Sequence, residues 1–199
     1  MGPYLKIVLA SNNAKKLIEL QATLPASYEL QAAGEYDSPT ESGTTFVENA
    51  IIKARYVSEL TGCTTIADDS GLEVNYLRGQ PGIYSSRFAG EHASDEDNNQ
   101  KLLAVMKDVP ADKRQARFRC VIVFLRFASD PMPIIASGTW EGTILNEARG
   151  TNGFGYDPLF FVPDLGLASA ELSPQQKNQL SHRSQAIAEL HSLLTQETA

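Results

Sequence analysis

This chain has little of what marks several large protein classes. Its 199 residues include only two cysteines, Cys63 and Cys120, with no metal-ligand spacing between them. That excludes a cysteine-built zinc site and a disulfide scaffold, and both thiols read as reduced and structural. Basic residues are also scarce: 17 Lys and Arg stand against 24 Asp and Glu, for a net charge of −7. Broad contact with nucleic acid needs a basic face and is excluded as an expectation. A small anionic ligand remains compatible, provided the positive groups are local or a metal offsets the charge. No apolar run approaches the ~20 residues that span a bilayer, and the first residues lack the basic and apolar regions of a signal peptide. A cytoplasmic protein with no membrane partner is expected. The Gly-Lys-Ser/Thr ending of a P-loop is absent, as is a Gly-x-Ser-x-Gly elbow, which excludes a Walker-type site and a serine-hydrolase site.

What is present mixes helix and strand. Residues 5–10 read as a strand, followed by a polar turn and a helix over 14–24 with Leu17, Leu20 and Leu24 on one face. A weak strand covers 28–32. Thr45 with Glu48 has the form of a capping box, and the helix it opens is stopped by Gly62. Residues 64–67 read as a buried strand leading into an acidic pair, with 72–76 as its extension. Residues 78–92 read as a long ordered loop. Ser94 caps a helix over 95–106 whose first turn is acidic, as the helix dipole favours. Residues 116–127 form the strongest strand pattern, and 134–137 and 139–144 read as two further strands. Residues 159–162 are another strand. Ser173-Pro174 opens a short helix, and 184–194 close the chain as a helix. Helices and strands do not alternate strictly, so an α/β fold with a mixed sheet is expected, in one domain over residues 1–199.

The residues that carry chemistry form four groups. Ala67-Asp68-Asp69-Ser70-Gly71 places two adjacent carboxylates after an apolar run. Such a pair repels unless something positive sits beside it. With Glu41, it is a candidate set for a hard cation that also takes phosphate oxygen, and a neighbouring carboxylate can serve as base for a water. A solvated acidic turn is the plainer reading, since Asp-Asp-Ser-Gly is good turn chemistry. Ser11-Asn12-Asn13-Ala14-Lys15-Lys16 lies between a strand and a helix N-terminus, where backbone N–H groups can meet an anion; a capped helix start with surface lysines is its plainer reading. Asn49 and Lys53 share a helix face, and Lys53 becomes a phosphate- or water-orienting group if that face looks toward the acids. Gly153-Phe154-Gly155-Tyr156-Asp157 combines glycines that permit close backbone approach with an aromatic that could stack on a base; a tight turn with core aromatics is the alternative. Lys177, His182 and Arg183 add donors suited to carbonyl or phosphate oxygen.

In their order and joint presence, these segments resemble the inosine triphosphate pyrophosphatase family. The likeness runs from Ile7 to about Leu190 and includes Thr45-Phe46-Val47-Glu48-Asn49-Ala50 and Pro81-Gly82-Ile83-Tyr84-Ser85-Ser86-Arg87. The resemblance implies a long central mixed sheet with two α/β lobes flanking a deep cleft. It implies Mg²⁺-dependent hydrolysis of ITP, dITP and XTP to the monophosphate and pyrophosphate, and a homodimer. It places Ser11, Asn12, Asn13, Ala14, Lys15 and Lys16 on the phosphate turn. Asp69 falls on the catalytic base and metal carboxylate, with Glu41 and Asp68 as supporting metal acids; Lys53 joins Asp69 as a catalytic candidate through its helix face alone. Ser70, Phe154, Gly155, Tyr156, Asp157, Lys177, His182 and Arg183 fall on substrate contacts. Ser11 stands where some members have Thr, and Lys15 where Gly is common. A nucleotide-binding sensor without turnover, or a pyrophosphatase for other modified nucleotides, stays open.

Overall fold

The computed structural model describes residues 5–11, 13–25 and 28–197. Among the described residues seven strands form one sheet in the order β2-β1-β3-β4-β5-β6-β7. They are β1 (Leu5–Leu9), β2 (Tyr28–Ala32), β3 (Thr65–Val74), β4 (Gln115–Leu125), β5 (Ile134–Ile144), β6 (Phe160–Val162) and β7 (Leu167–Ala168). β1 runs parallel to both β2 and β3, whereas β5–β6 and β6–β7 are antiparallel, so the sheet is mixed. The helices are α1 (Ala14–Thr23), α2 (Phe46–Thr61), α3 (Asp95–Val105), α4 (Pro174–Leu180) and α5 (His182–Glu197). No helix among the described residues is long and apolar enough to cross a membrane.

The chain resolves into two compact units. The first comprises residues 1–69, 120–138 and 182–199, and the second 70–119 and 139–181. In the first unit the strands alternate between two cores with a period of two. Ile7, Leu9, Ile66, Cys120, Ile122 and Phe124 pack with Leu20 of α1 and Ala186, Ile187 and Leu190 of α5. Val8, Ala67, Val121, Val123 and Leu125 pack with Ala50, Ala54 and Val57 of α2. Burial on both faces is why residues 7–10 form a continuous apolar run. The second unit has one core, in which Leu72, Phe118, Trp140 and Phe160 meet Leu102 and Met106 of α3. The alternate positions there are polar: Glu73 accepts ion pairs from Arg117 at 3.3 Å and Arg119 at 3.2 Å.

Three helices begin where their capping residues predict. Thr45 with Glu48, Ser94 with Asp97, and Ser173 with Gln176 each complete a reciprocal capping box. Two strands depart from expectation. The 64–67 strand and its 72–76 extension are continuous: β3 runs from Thr65 to Val74 with Asp68-Asp69-Ser70-Gly71 extended within it rather than in a turn. Residues 134–144 are one strand rather than two. Gly138 is not a break but a place of close approach, since a Cβ there would collide with the His182 carbonyl and the Ala186 amide. The 78–92 segment contains a 3₁₀ helix over Gly82–Arg87, and the last helix starts at His182, two residues earlier than its apolar pattern suggests.

Candidate active site

Because Asp68 and Asp69 are consecutive in a strand, their side chains leave opposite faces of the sheet. Asp68 follows Ile66 toward α1 and α5. There Lys16 Nζ lies 2.9 Å from Asp68 Oδ2, and an Arg183 guanidinium nitrogen lies 3.5 Å from the same oxygen. Arg183 also pairs with Glu19 of α1. Lys16 and Glu19 are three apart on α1, so they sit side by side. The result is an alternating chain of charge, Lys16–Asp68–Arg183–Glu19, deep in the first unit. Burial would push the Asp68 carboxyl up, but Lys16, Arg183 and Lys53 outweigh it and hold it well below the usual carboxylate range. Arg183 is held above its usual value, because Asp68 and Glu19 overcome the cost of its burial.

Asp69 follows Ala67 toward α2. Lys53 Nζ donates to Asp69 Oδ1 at 2.7 Å and lies 3.0 Å from Glu41 Oε1, so one ammonium bridges two carboxylates. Asp69 Oδ2 is buried and has no hydrogen-bond partner among the described residues. Burial raises the Asp69 carboxyl above its ordinary value, with Lys53 opposing. Lys53 loses affinity for its proton through burial, yet Asp69, Asp68 and Glu41 together raise it. The two neighbouring carboxylates are thus pushed in opposite directions, each by its own surroundings.

The turn before α1 is capped from within. Asn13 N donates to Ser11 Oγ at 3.2 Å, and Asn13 Oδ1 accepts from Lys16 N at 3.3 Å. Ala14 opens the helix. Asn12 and the side chain of Lys15 lie outside the described residues. Ser70 follows Asp69 on β3 and is half-buried. His182 is buried as the first residue of α5. No group of three or more His, Cys, Asp and Glu is arranged to hold a metal among the described residues. Glu41 and Asp69 meet at Lys53, while Asp68 points away; the expected three-carboxylate metal set is not brought together. Two carboxylates and a buried carboxylate oxygen nevertheless fit Mg²⁺, which is usually held by one or two carboxylates with substrate phosphates and water.

In the second unit the Phe154 turn is built around Asp157. Its Oδ2 accepts from Lys177 Nζ at 2.6 Å and from Phe154 N at 2.9 Å, and its Oδ1 accepts from Ser169 Oγ at 2.8 Å. Gly153 has φ +78°, and a Cβ there would land on Asp157 Oδ2, so only glycine fits. Lys177 Nζ also sits 5.0 Å from the Phe154 ring centroid. Tyr156 is buried and donates to the Ser85 carbonyl at 2.8 Å. The amides of Phe154 and Gly155 are thus taken up by Asp157 and Asp95. What the turn presents is the Phe154 ring with a cation beside it.

A chain of this build has known counterparts. Residues 7–193 match the Ham1 family. The chain belongs to that family. A relative from Vibrio cholerae named dITP/XTP pyrophosphatase is 55% identical over 195 residues, covering 96% of this chain and 98% of the relative. One of the same name from Salmonella typhimurium is 52% identical over 186 residues, covering 92% and 94%. Among solved structures, a Ham1 protein from Coxiella burnetii superposes with a TM-score of 0.89 at 46% identity, covering 96% of this chain and 99% of its own. The Staphylococcus aureus Ham1 protein gives 0.85 at 43%, with coverage of 96% and 99%.

Glu19, Asn99 and Ser169 are not singled out by sequence, while Asp95 reads only as an acidic first-turn residue and Ser85 only as part of the Pro81–Arg87 segment. Glu19 has a signal, its i, i+3 spacing from Lys16, and Asn99 stands at i+4 from Asp95. Ser169 carries none.

Proposed function

We propose that this Ham1-family chain hydrolyses ITP, dITP and XTP to the nucleoside monophosphate and pyrophosphate, so removing deaminated purines from the nucleotide pool. The observation that carries the reading is the Asp69 carboxylate, bound to Lys53 through one oxygen and buried with the other oxygen unused by any described hydrogen-bond donor. The names of the relatives support the substrate class.

Asp69 takes a proton from a water molecule, and its raised carboxyl makes it a better base than an exposed aspartate. The water oxygen bonds to the α-phosphorus, the bond from that phosphorus to its bridging oxygen breaks, and pyrophosphate leaves with the electron pair. Lys53 and Lys16 offset charge that develops on the phosphates, help worth several kcal/mol, roughly, in comparable sites. Glu41 and Asp69 would hold Mg²⁺, which supplies Lewis-acid neutralisation of the triphosphate when bound. Ser11, Asn13 and the start of α1 are assigned to phosphate. Phe154 and Lys177 are assigned to the base, and His182 to donation toward a 6-oxo group. Arg183 holds Asp68. A site whose donors need the 6-oxo oxygen leaves them unsatisfied with adenine, at a cost of about 1–3 kcal/mol. The family resemblance supports a homodimer, which the mass in solution checks.

The deciding experiment incubates dITP and dGTP separately with protein and Mg²⁺. Monophosphate plus pyrophosphate from dITP, with dGTP largely spared, is the expected result. Orthophosphate and diphosphate would move the attack to the γ-phosphorus, and nucleotide binding without product would favour a sensor.

A further inference from the structure

Both backbone polar groups of Gly155 are held by one helix. Its amide donates to Asp95 Oδ2 at 2.8 Å, and its carbonyl accepts from Asn99 Nδ2 at 2.8 Å. Asp95 and Asn99 are four apart on α3 and share a face. The Asn99 amide nitrogen donates as well to the Asp95 carbonyl at 2.8 Å. Two carbonyls therefore fix the amide's orientation, since a flipped oxygen would face two acceptors. Asn99 is only 6% exposed, which shields its two bonds from competing water, whereas the Asp95–Gly155 bond is exposed.

The position of the clamp gives it meaning. Phe154 lies between Gly153 at φ +78° and Gly155 at φ +61°, two joints with wide backbone freedom. Asp157 fixes the joint before the ring, through the Phe154 amide. The Asp157 amide also donates to the Phe154 carbonyl at 3.3 Å, so what α3 adds is the hold on the Gly155 amide and carbonyl. We propose that Asp95 and Asn99 are positioning residues that fix the second joint and so hold the Phe154 ring in its base-receiving direction. The inference rests on the reading of Phe154 as a base-recognition residue. Asp95 thus does more than complement the helix dipole. Ser94 and Asp97 form the α3 capping box without it, so α3 still starts correctly when Asp95 is replaced.

A ring that is present but not held binds its partner with an added ordering cost. The test uses Asp95→Ala, the conservative Asp95→Asn, whose amide oxygen can still accept, and Asn99→Ala. Each is measured for KM and kcat on dITP and for hydrogen exchange of the Gly155 amide by NMR. Asn99→Ala should raise KM about tenfold, the loss of a shielded hydrogen bond, and Asp95→Ala about threefold, the loss of an exposed one, with kcat essentially unchanged. Asp95→Ala should speed exchange at Gly155, and Asp95→Asn should restore most of both. Wild-type KM in both alanine variants, or unchanged Gly155 exchange in Asp95→Ala, would overturn the clamp. Equal loss of kcat and KM performance in Asp95→Ala and Asp95→Asn would also overturn it, since that marks a general structural role. Absence of dITP turnover by the wild type would defeat the functional reading alone; the exchange measurement would still decide the clamp.

Discussion

Asp68 and Asp69 are neighbours in sequence but face opposite sides of β3, Asp68 onto Lys16 and Arg183 and Asp69 onto Lys53. The strand's period of two separates their charges and gives each its own cations. That division lets one carboxylate be structural while the other retains an oxygen for chemistry.

Replacing Asp69 with Asn should therefore remove turnover while sparing the fold. The amide keeps the shape and can still accept from Lys53, but it cannot take a proton from water. Turnover should fall by about 10²–10⁴-fold, the usual contribution of a positioned base. Matched urea midpoints with wild-type activity would remove Asp69 from the mechanism.

Arg183→Leu should behave in the opposite way. It strips Asp68 of one of two close cations and leaves a buried charge under-compensated. Such losses cost about 3–5 kcal/mol, so the urea midpoint should drop sharply. A midpoint equal to wild type would show that Lys16 alone suffices for Asp68.

The helices were legible because their signals are local. Thr45 and Glu48, or Ser173 and Pro174, announce a helix start within a few residues. The acidic segment of β3 stays open in sequence because Asp-Asp-Ser-Gly has turn chemistry on its own; the cations that let it stay extended come from α1, α2 and α5. Gly138 reads as a gap between strands because sequence does not show a backbone packed against it. Glu19 reaches Arg183 across 164 positions, and Asp95 reaches Gly155 across 60. Neither separation leaves a periodic trace. The family resemblance names the candidate residues, and the structure shows Asp68 and Asp69 paired with different cations.

Asp130 predicts a specific acid sensitivity. Its carboxylate accepts from Arg126 Nε at 2.9 Å and from the Met132 amide at 3.0 Å, and is 1% exposed. The Arg126 side chain, more than the backbone amides, lowers the carboxyl from its ordinary 3.8 to about 2. A carboxyl lower in the folded state adds stability above its unfolded value, and that contribution fades as pH falls through the folded one. Asp130→Asn should thus be less stable than wild type near neutrality, with the gap closing between pH 3.8 and about 2. Urea unfolding across that window checks it; a constant gap would assign the loss to packing.

Gly138→Ala tests whether residues 134–144 work as a single strand seated on α5. The new Cβ would meet the His182 carbonyl and Ala186 amide. Both are backbone atoms of a helix and cannot swing aside as a flexible side chain would. Relief requires β5 or the start of α5 to move, at about 1–3 kcal/mol by the usual cost of overpacking. Because the moved segment carries His182 and Arg183, turnover should fall together with stability. Urea midpoints and dITP turnover measured on one preparation check both. A variant with wild-type stability would mean that Gly138 is merely a small residue in an exposed strand, and that α5 is seated by Ile187 and Leu190 alone.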